Sequence, residues 1–379
     1  MTTTRESNVK TRIVSLASNL GFDIVRITTA DPFLEDSATA IDSIRKGYMD
    51  GMPWYNENRV GRAADPKKLL PGAKSIIVVA MSYLPHENFD SSESSKGKVA
   101  RYAQWQDYHL VMKRKLKELS DSLPDLVESP SVTRIFVDDG SFLERAAARR
   151  AGIGWFGKNS NILTTEYGSW VFLGALITDL DLEPDRALKK NCGSCVTCLI
   201  ECPTGAIVSP YIIDATRCIS YLTIENRGPI PIELRPLIGN WIFGCDICQE
   251  VCPVNRGVST SRDSDLMPKM LSSLELVPLL NLTQGEFSSR FKNWPIKRAK
   301  LEGLKRNACV ALGNSGDARA VSALGRVLFE DTDLVKQHAA WALGRIGGGK
   351  AKSILFEALA RESDRNVRRE ILSAINSLN

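Results

Sequence analysis

Alternating helical and strand patterns run from the N-terminus to about residue 180. Apolar residues at helical spacing predict a helix over residues 8–20, which Gly21 can end in the left-handed conformation. Continuous apolar runs rich in β-branched residues predict buried strands over residues 75–83, 134–137 and 170–177. The polar stretch 86–97 predicts a solvated loop. This region is therefore expected to form a mixed domain of helices and strands.

The pattern changes to a repeat beyond about residue 295. Ala311-Leu-Gly313 recurs 31 residues later as Ala342-Leu-Gly344, and the same step again reaches Ser373-Ala-Ile375. Such spacing predicts paired helices stacked as a short HEAT-like solenoid. Cys309 lies at a helical position inside the first copy, so we expect a small core residue rather than a metal ligand.

Clear periodicity is lost between these two regions, where cysteine, glycine and proline predominate. Short loops wrapped around metal would explain this change. The predicted fold class is α+β, with three parts. They are a mixed α/β domain over residues 1–180, a ferredoxin-like module over 181–260, and a linker with HEAT-like helical repeats over 261–379. A length of 379 residues agrees with two or three domains.

Composition and charge narrow the class of protein. The chain is 43% hydrophobic and 25% charged, and no apolar run reaches the roughly 20 residues that span a bilayer. Residues 1–10 hold neither an apolar signal core nor adjacent arginines, so a cytoplasmic protein is expected. The net charge is +5, and residues 296–379 contain 15 Lys and Arg against 9 Asp and Glu. The repeat is therefore either a structural cap or a surface that faces nucleic acid.

Eight of the nine cysteines lie between Cys192 and Cys252. The first run has the bacterial ferredoxin spacing, in which three cysteines hold one cubane and the fourth, before a proline, reaches the other cluster. A second, shorter run lacks one cysteine, which Cys218 can supply. Crossed ligation predicts two [4Fe-4S] clusters. Their ligands would be Cys192, Cys195, Cys198 and Cys252 for the first, and Cys202, Cys218, Cys245 and Cys248 for the second.

Two zinc sites are the alternative, because paired cysteines also build tetrahedral zinc sites. Zinc sites usually combine two separated cysteine pairs, whereas three cysteines at successive short spacing followed by Cys-Pro fit a cubane better. Brown absorbance with iron and sulfide would distinguish the clusters from a colourless zinc protein.

A candidate acid follows the predicted strand over residues 134–137. Ser141 and Glu144 fit a capping box, which predicts a helix start and leaves Asp138 free at the end of the strand. A free carboxylate can serve as a general acid if burial raises its pKa toward neutrality. The alternatives for Asp138 are another helix cap or a salt bridge to Arg145.

Several segments together resemble the epoxyqueuosine reductases over essentially the whole chain. They are residues 100–103, 107–109, 137–138, 143–145, 151–161, the cysteine block and 220–231. The resemblance implies a cobalamin-dependent enzyme that reduces epoxyqueuosine to queuosine in the wobble position of tRNA, the last step of tRNA queuosine biosynthesis. It implies that an unidentified low-potential donor feeds electrons through the two clusters to cobalamin, which generates cob(I)alamin, and that Asp138 protonates the departing oxygen.

The resemblance also implies site residues and an assembly state. It makes residues 1–180 the cobalamin-binding catalytic domain, assigns a tRNA contact to Arg227, and suggests a hydrogen bond near the cofactor for His109, for which packing is the alternative. The implied cobalamin contacts are Arg101, Asp138, Lys158, Asn161, Ser220 and Asp246. No histidine is expected on cobalt, because the Asp-x-His-x2-Gly signature is absent. We expect a monomer with no membrane partner.

Other classes of protein explain less of the chain. A reductive dehalogenase would share the cobalamin and the two clusters, but such enzymes typically carry twin-arginine export signals. A ferredoxin would need only the cysteine segment. An RNA-binding repeat protein would account for the C-terminal helices but not for the cysteines.

Overall fold

The computed structural model describes residues 2–85, 95–261 and 273–378. The first nine helices are α1 (Thr2–Asn19), α2 (Leu34–Arg45), α3 (Glu57–Ala63), α4 (Pro66–Leu69), α5 (Tyr108–Val127), α6 (Glu144–Ala151), α7 (Thr197–Ile200), α8 (Ile219–Ile224) and α9 (Ile247–Glu250). They are followed by α10 (Leu276–Leu280), α11 (Gln284–Arg290), α12 (Lys300–Ser315), α13 (Val321–Glu330), α14 (Asp333–Ile346), α15 (Gly348–Arg361) and α16 (Arg365–Asn376). None of the described helices is long and apolar enough to cross a membrane.

Within the described ranges, the strands form two larger sheets and two short hairpins. They are β1 (Ile24–Thr29), β2 (Ser75–Ser82), β3 (Lys96–Val99), β4 (Thr133–Phe136), β5 (Trp155–Phe156), β6 (Ile162–Leu163), β7 (Val171–Thr178), β8 (Ile207–Ser209), β9 (Ile212–Ile213), β10 (Trp241–Phe243) and β11 (Ser273–Glu275). The largest sheet has the order β1-β2-β7-β4, and all of its neighbouring strands are antiparallel.

Helices cover both faces of the four-stranded sheet. Every residue of β2 is buried, and its side chains alternate between two cores. Ile77 and Val79 pack in the core that includes residues of α1 and α5. Ile76 and Val78 belong to the core on the opposite face, which includes residues of α6. Burial on both faces explains why this strand is continuously apolar.

The predicted elements of this part of the chain are confirmed. The first helix is α1, and Gly21 follows it with φ 92°. The three predicted strands are β2, β4 and β7, each within one residue of its expected bounds. The predicted loop over residues 86–97 falls mainly outside the described residues, and its last two residues belong to β3.

A second sheet joins distant parts of the sequence. Its order is β10-β3-β11, with β10 parallel and β11 antiparallel to β3. One buried core continues from Val99 through the cysteine module to Ile375 in α16. The division at residues 180 and 260 stays a prediction, and the three parts that it separates share this sheet.

The C-terminal helices stack with the predicted 31-residue period. A Cβ atom added at Gly313 of α12 would lie 2.6 Å from a ring carbon of Trp341 in α14. One added at Gly344 of α14 would lie 2.8 Å from Cβ of Ala374 in α16. The recurring glycine therefore allows each helix to approach the next closely. Cys309 is fully buried in this core, as expected.

Buried polar side chains fasten the repeat to the cysteine module. The Arg306 guanidinium in α12 donates to the carbonyl oxygens of Leu222, Asn226 and Gly228 at 2.6 to 2.8 Å. The Arg235 guanidinium donates to both carboxylate oxygens of Glu370 at 2.9 and 3.0 Å. Because buried charges are costly unless paired, these contacts fix how the helices dock.

Candidate active site and cluster ligands

Asp138 lies beyond the end of β4 in a constrained conformation. Its φ of 51° is in the left-handed region, which is uncommon for a residue other than glycine. The Tyr108 hydroxyl donates a hydrogen bond to Asp138 Oδ2 at 2.8 Å. Tyr108 begins α5, where the Asp107 carboxylate caps the helix, and its ring stacks on Phe172 at 4.1 Å between centroids. A buried aromatic side chain thus holds one oxygen of the predicted acid.

The predicted capping box at Ser141 and Glu144 is wrong. Helix α6 begins at Glu144, and the residue before it, Leu143, offers no capping side chain. Glu144 Oε1 instead accepts a hydrogen bond from the backbone N–H of Asp138 at 3.2 Å. Burial and the neighbouring Asp138 charge raise the pKa of Glu144 to about 8. The acidic side chain at the helix start therefore supports the Asp138 loop rather than its own helix end.

Asp138 itself is exposed, so the burial that was expected at this carboxylate occurs at Glu144 instead. The alternative salt bridge to Arg145 is not formed in the described structure, because Arg145 donates to the carbonyl oxygen of Ser160 at 2.9 Å. The adjacent carboxylate, Asp139, pairs with Lys113. The two neighbouring aspartates are thus distinguished by their partners.

Arg101 and Asp246 are connected to this site through Tyr102, the residue that follows Arg101. Asp246 is 1% exposed, and its Oδ2 accepts a hydrogen bond from the Arg101 backbone N–H at 2.7 Å. The Arg101 guanidinium pairs with Glu250 at 2.7 Å. Burial raises the pKa of Asp246 to about 6. The pKa of Tyr102 is raised by burial and then by the charges of Asp138 and Asp246, so this ring lies near both carboxylates.

The other predicted cobalamin contacts lie beside the cysteine module. The Lys158 ammonium donates to the carbonyl oxygen of Gly193 at 2.8 Å. The Asn161 carbonyl accepts from the N–H of Gly157 in a turn that precedes β6. Ser220 belongs to α8, two residues after Cys218. The roles of these residues toward cobalamin stay predictions.

His109 follows Tyr108, the tyrosine that binds Asp138, and contacts its own neighbours in the sequence. Its Nδ1 is 2.6 Å from Asp107 Oδ1, and its ring stacks on Tyr108 at 4.1 Å between centroids. It therefore supports the tyrosine that holds Asp138, and the predicted hydrogen bond near the cofactor stays a prediction.

The cysteines of the module are free thiols that fall into two neighbourhoods. After burial, the charges that raise the pKa of the Cys198 thiol are those of Cys192, Cys252 and Cys195. The corresponding charges at Cys245 are those of Cys218, Asp246 and Cys202, and at Cys248 they begin with Cys218 and Cys245. Cys252 thus lies with the first run and Cys202 with the second, which is the arrangement that crossed ligation requires. In the described residues, no three His, Cys, Asp or Glu side chains converge as the ligands of a single metal ion would.

Two residues near Asp138 could not be predicted from the sequence. Tyr102 belongs to the segment that carries the resemblance, but only folding brings it near both carboxylates. Arg298 lies in a basic stretch without a motif, and its guanidinium pairs with Glu225. Arg227, the predicted tRNA contact, donates to the carbonyl oxygens of Ile224 and Arg298 at 2.8 and 2.9 Å. Its contact with tRNA stays a prediction.

These features together define an oxidoreductase with paired iron-sulfur clusters and attached helical repeats. Family models match in three places: the 4Fe-4S double cluster binding domain over residues 191–255, epoxyqueuosine reductase QueG, DUF1730 over 63–139, and HEAT repeats over 298–376. The epoxyqueuosine reductase of Bacillus subtilis strain 168 is 37% identical over 98% of this chain and 96% of its own length. That of Escherichia coli K12 is 42% identical over 86% of each chain. The chain belongs to the epoxyqueuosine reductase family.

Solved structures of epoxyqueuosine reductases are similar to this structure over nearly the full length of the chain. An epoxyqueuosine reductase bound to a tRNA-Tyr stem loop modified with epoxyqueuosine has a TM-score of 0.91 and 35% identity, covering 98% of this chain and 99% of that one. The Bacillus subtilis enzyme with its Asp catalytic loop swung out of the active site has a TM-score of 0.90 and 36% identity, covering 99% and 100%. The match to the double-cluster model favours iron-sulfur clusters over zinc, and the full-length match excludes a ferredoxin or a repeat protein alone.

Proposed function

We propose that this protein reduces the epoxide of epoxyqueuosine in tRNA to queuosine, with Asp138 as the proton donor. The observation that carries the proposal is an exposed carboxylate, oriented by Tyr108, near Tyr102, whose ring also lies near Asp246 beside the second set of thiols. Removing the epoxide oxygen as water takes two electrons and two protons, so such a site needs an acid close to an electron source.

The donor chemistry of the chain fits the cofactors of this family. The eight grouped thiols would hold two [4Fe-4S] clusters, and Arg101, Asp138 and Asp246 would contact cobalamin on the side where the second set of thiols lies. When bound, these groups supply low-potential electrons to the epoxide-bearing ring.

The chain itself determines where the proton is held. Because the Tyr108 hydroxyl donates to Asp138 Oδ2, that oxygen is an acceptor, and the transferable proton belongs on Oδ1. The Glu144 carboxylate fixes the backbone of the same residue through its N–H. These two contacts hold Oδ2 and the backbone, and since Asp138 is exposed, Oδ1 is the oxygen that the departing oxygen of the substrate would reach.

We further propose that the protein is a monomer that acts on tRNA in the cytoplasm. A low-potential electron donor that remains to be identified would supply its electrons. Its clusters would receive electrons from that donor at the surface of the cysteine module, where Cys195 is exposed.

An Asp138→Asn variant tests the acid. A positioned acid commonly contributes roughly 10² to 10⁴ in rate, so turnover should fall by that factor. The assay is anaerobic, with a low-potential reductant and epoxyqueuosine-containing tRNA, and queuosine is measured by nucleoside mass spectrometry. Iron, sulfide and cobalamin contents should match the wild type. Asp139→Asn is the matched control, because Asp139 pairs with Lys113 on the surface. Equal turnover in Asp138→Asn and wild type would reject this role.

A further inference from the structure

Arg298 is placed beside the proposed catalytic acid by a segment with unusual backbone geometry. The segment Pro295–Ala299 is a short 3-10 helix between two non-glycine residues with positive φ, Asn293 at 62° and Lys300 at 61°. The Asn293 carbonyl accepts from the backbone N–H of Asp107 at 2.8 Å, which joins the segment to the start of α5. The chain thus holds this arginine at the Asp138 site rather than elsewhere on the repeat.

The guanidinium of Arg298 is oriented but not enclosed. Its Nε donates to Glu225, and its side chain is 55% exposed. None of the described residues accepts a hydrogen bond from its two Nη groups. The hydrogen bond to Glu225 and, more weakly, the charge of Asp138 raise the pKa of Arg298, so its guanidinium lies within electrostatic reach of the acid. A fixed Nε leaves the outer edge of the fork open for a bidentate anion.

Arg227 binds the backbone of the segment that carries Arg298. Its guanidinium donates to the carbonyl oxygens of Arg298 at 2.9 Å and Ala299 at 3.4 Å, while Glu225, two residues earlier, binds the Arg298 side chain. The loop that follows α8 therefore holds both the backbone and the side chain of Arg298. The Arg227 guanidinium donates to carbonyl oxygens of the protein, so Arg227 acts as a positioning residue.

The charged groups around Arg298 indicate that its ligand is an anion. The carboxylates of Asp246, Glu250 and Glu225 lie around the site, so a polyanion would be repelled there unless a cation met it. Arg298 has two exposed basic neighbours, Lys297 and Lys300. The guanidinium fork matches the geometry of a phosphate.

We propose that Arg298 binds a backbone phosphate of the tRNA next to the nucleotide that Asp138 protonates, and that Arg227 positions Arg298 for this contact. This inference rests on the proposed function, because it takes tRNA as the substrate. It assigns the direct contact to a residue 71 positions beyond Arg227 in the sequence.

Binding of an epoxyqueuosine-containing anticodon stem loop to the full holoenzyme tests the proposal independently of turnover. Hydrogen bonds to charged groups contribute about 1.5–3 kcal/mol, so Arg298→Ala should raise Kd roughly tenfold or more. The slope of log affinity against log salt should fall by about 0.7, as expected for one lost phosphate contact in single-stranded RNA. Arg319→Ala is the matched control, since Arg319 is an 80% exposed arginine that also pairs with an acid, and its Kd should stay within about twofold.

The double variant separates contact from positioning. If Arg227 acts through Arg298, then Arg227→Ala combined with Arg298→Ala should bind no more weakly than Arg298→Ala alone. Additive losses would mean that Arg227 has its own contact. In turnover assays Arg298→Ala should raise KM far more than it lowers kcat. A Kd within twofold of wild type, or a loss confined to kcat, would overturn the phosphate assignment. A wild type that binds the RNA without reducing it would instead reject the proposed function and leave the binding test valid.

Discussion

The carboxyl group of Glu144 is the titratable group whose replacement has the most specific expected effect. Its Oε1 accepts from the Asp138 backbone N–H, and burial together with the Asp138 charge raises its pKa. Glu144→Gln keeps an oxygen acceptor of the same reach and removes the ionisable proton. We expect the variant to be more stable than the wild type at alkaline pH and nearly equal to it near pH 5.

The variant is expected to be the more stable protein at alkaline pH because folding raises the pKa of Glu144. Folding raises the pKa of Glu144 from 4.5 to about 8, so between these values the folded protein keeps a proton that the unfolded chain has released. Stability from this group is therefore lost as pH rises through that window and is constant above it. At about 1.4 kcal/mol per pH unit, the ionised carboxylate costs at most about 5 kcal/mol above pH 8. Partial solvent exposure of the side chain lowers this figure.

Anaerobic urea unfolding of wild type and variant at about pH 6 and about pH 8.5 measures the effect. The advantage of Glu144→Gln should grow by up to about 3 kcal/mol between the two conditions, because about two pH units of the window lie between them and partial exposure lowers the full effect. Glu57→Gln is the control: the pKa of Glu57 is lowered by Arg45, so its replacement should give no such gain at high pH. An advantage that is equal at both pH values, or a variant that is less stable at pH 8.5, would refute the pKa argument.

Three further predictions concern the packing of the repeat and the clusters. Glu370→Gln leaves the buried Arg235 without its anion and should cost about 3–5 kcal/mol in thermal unfolding, whereas Asp317→Asn, which affects a pair whose arginine is 80% exposed, should cost far less. Gly313→Ala should lower the melting temperature, because overpacking against Trp341 costs about 1–3 kcal/mol and exceeds the roughly 1 kcal/mol gain in helix propensity. Cys218→Ala should remove only one cluster's signal in electron paramagnetic resonance and about half the iron, while retention of full iron content would contradict its assignment.

Sequence by itself determined the elements whose cause is local or periodic. The helix over residues 8–20, the three strands and the 31-residue repeat all follow from side-chain periodicity, which depends only on neighbours in the chain. The cysteine spacing determined two clusters in the same way, because a cubane loop has a fixed length. The resemblance added cobalamin, which neither periodicity nor spacing indicates.

Only the tertiary structure decided how the acid is held. The sequence suggested a capping box, since Ser141 and Glu144 have its spacing, but Glu144 binds the Asp138 backbone instead. The left-handed turn at Asp138 presents an N–H to this carboxylate, and the local sequence pattern could not reveal that turn.

Contacts between distant segments could not be predicted either, because the local sequence pattern does not reveal which groups come close on folding. Tyr108 and Asp138 are 30 residues apart, and Arg227 and Arg298 are 71 apart. Charge and residue type show that such groups need partners, but many arginines and carboxylates in the chain meet that need equally well. The choice among them is made by the packing of α5, of the loop after α8 and of the segment before α12, which determines which groups are close enough to bond.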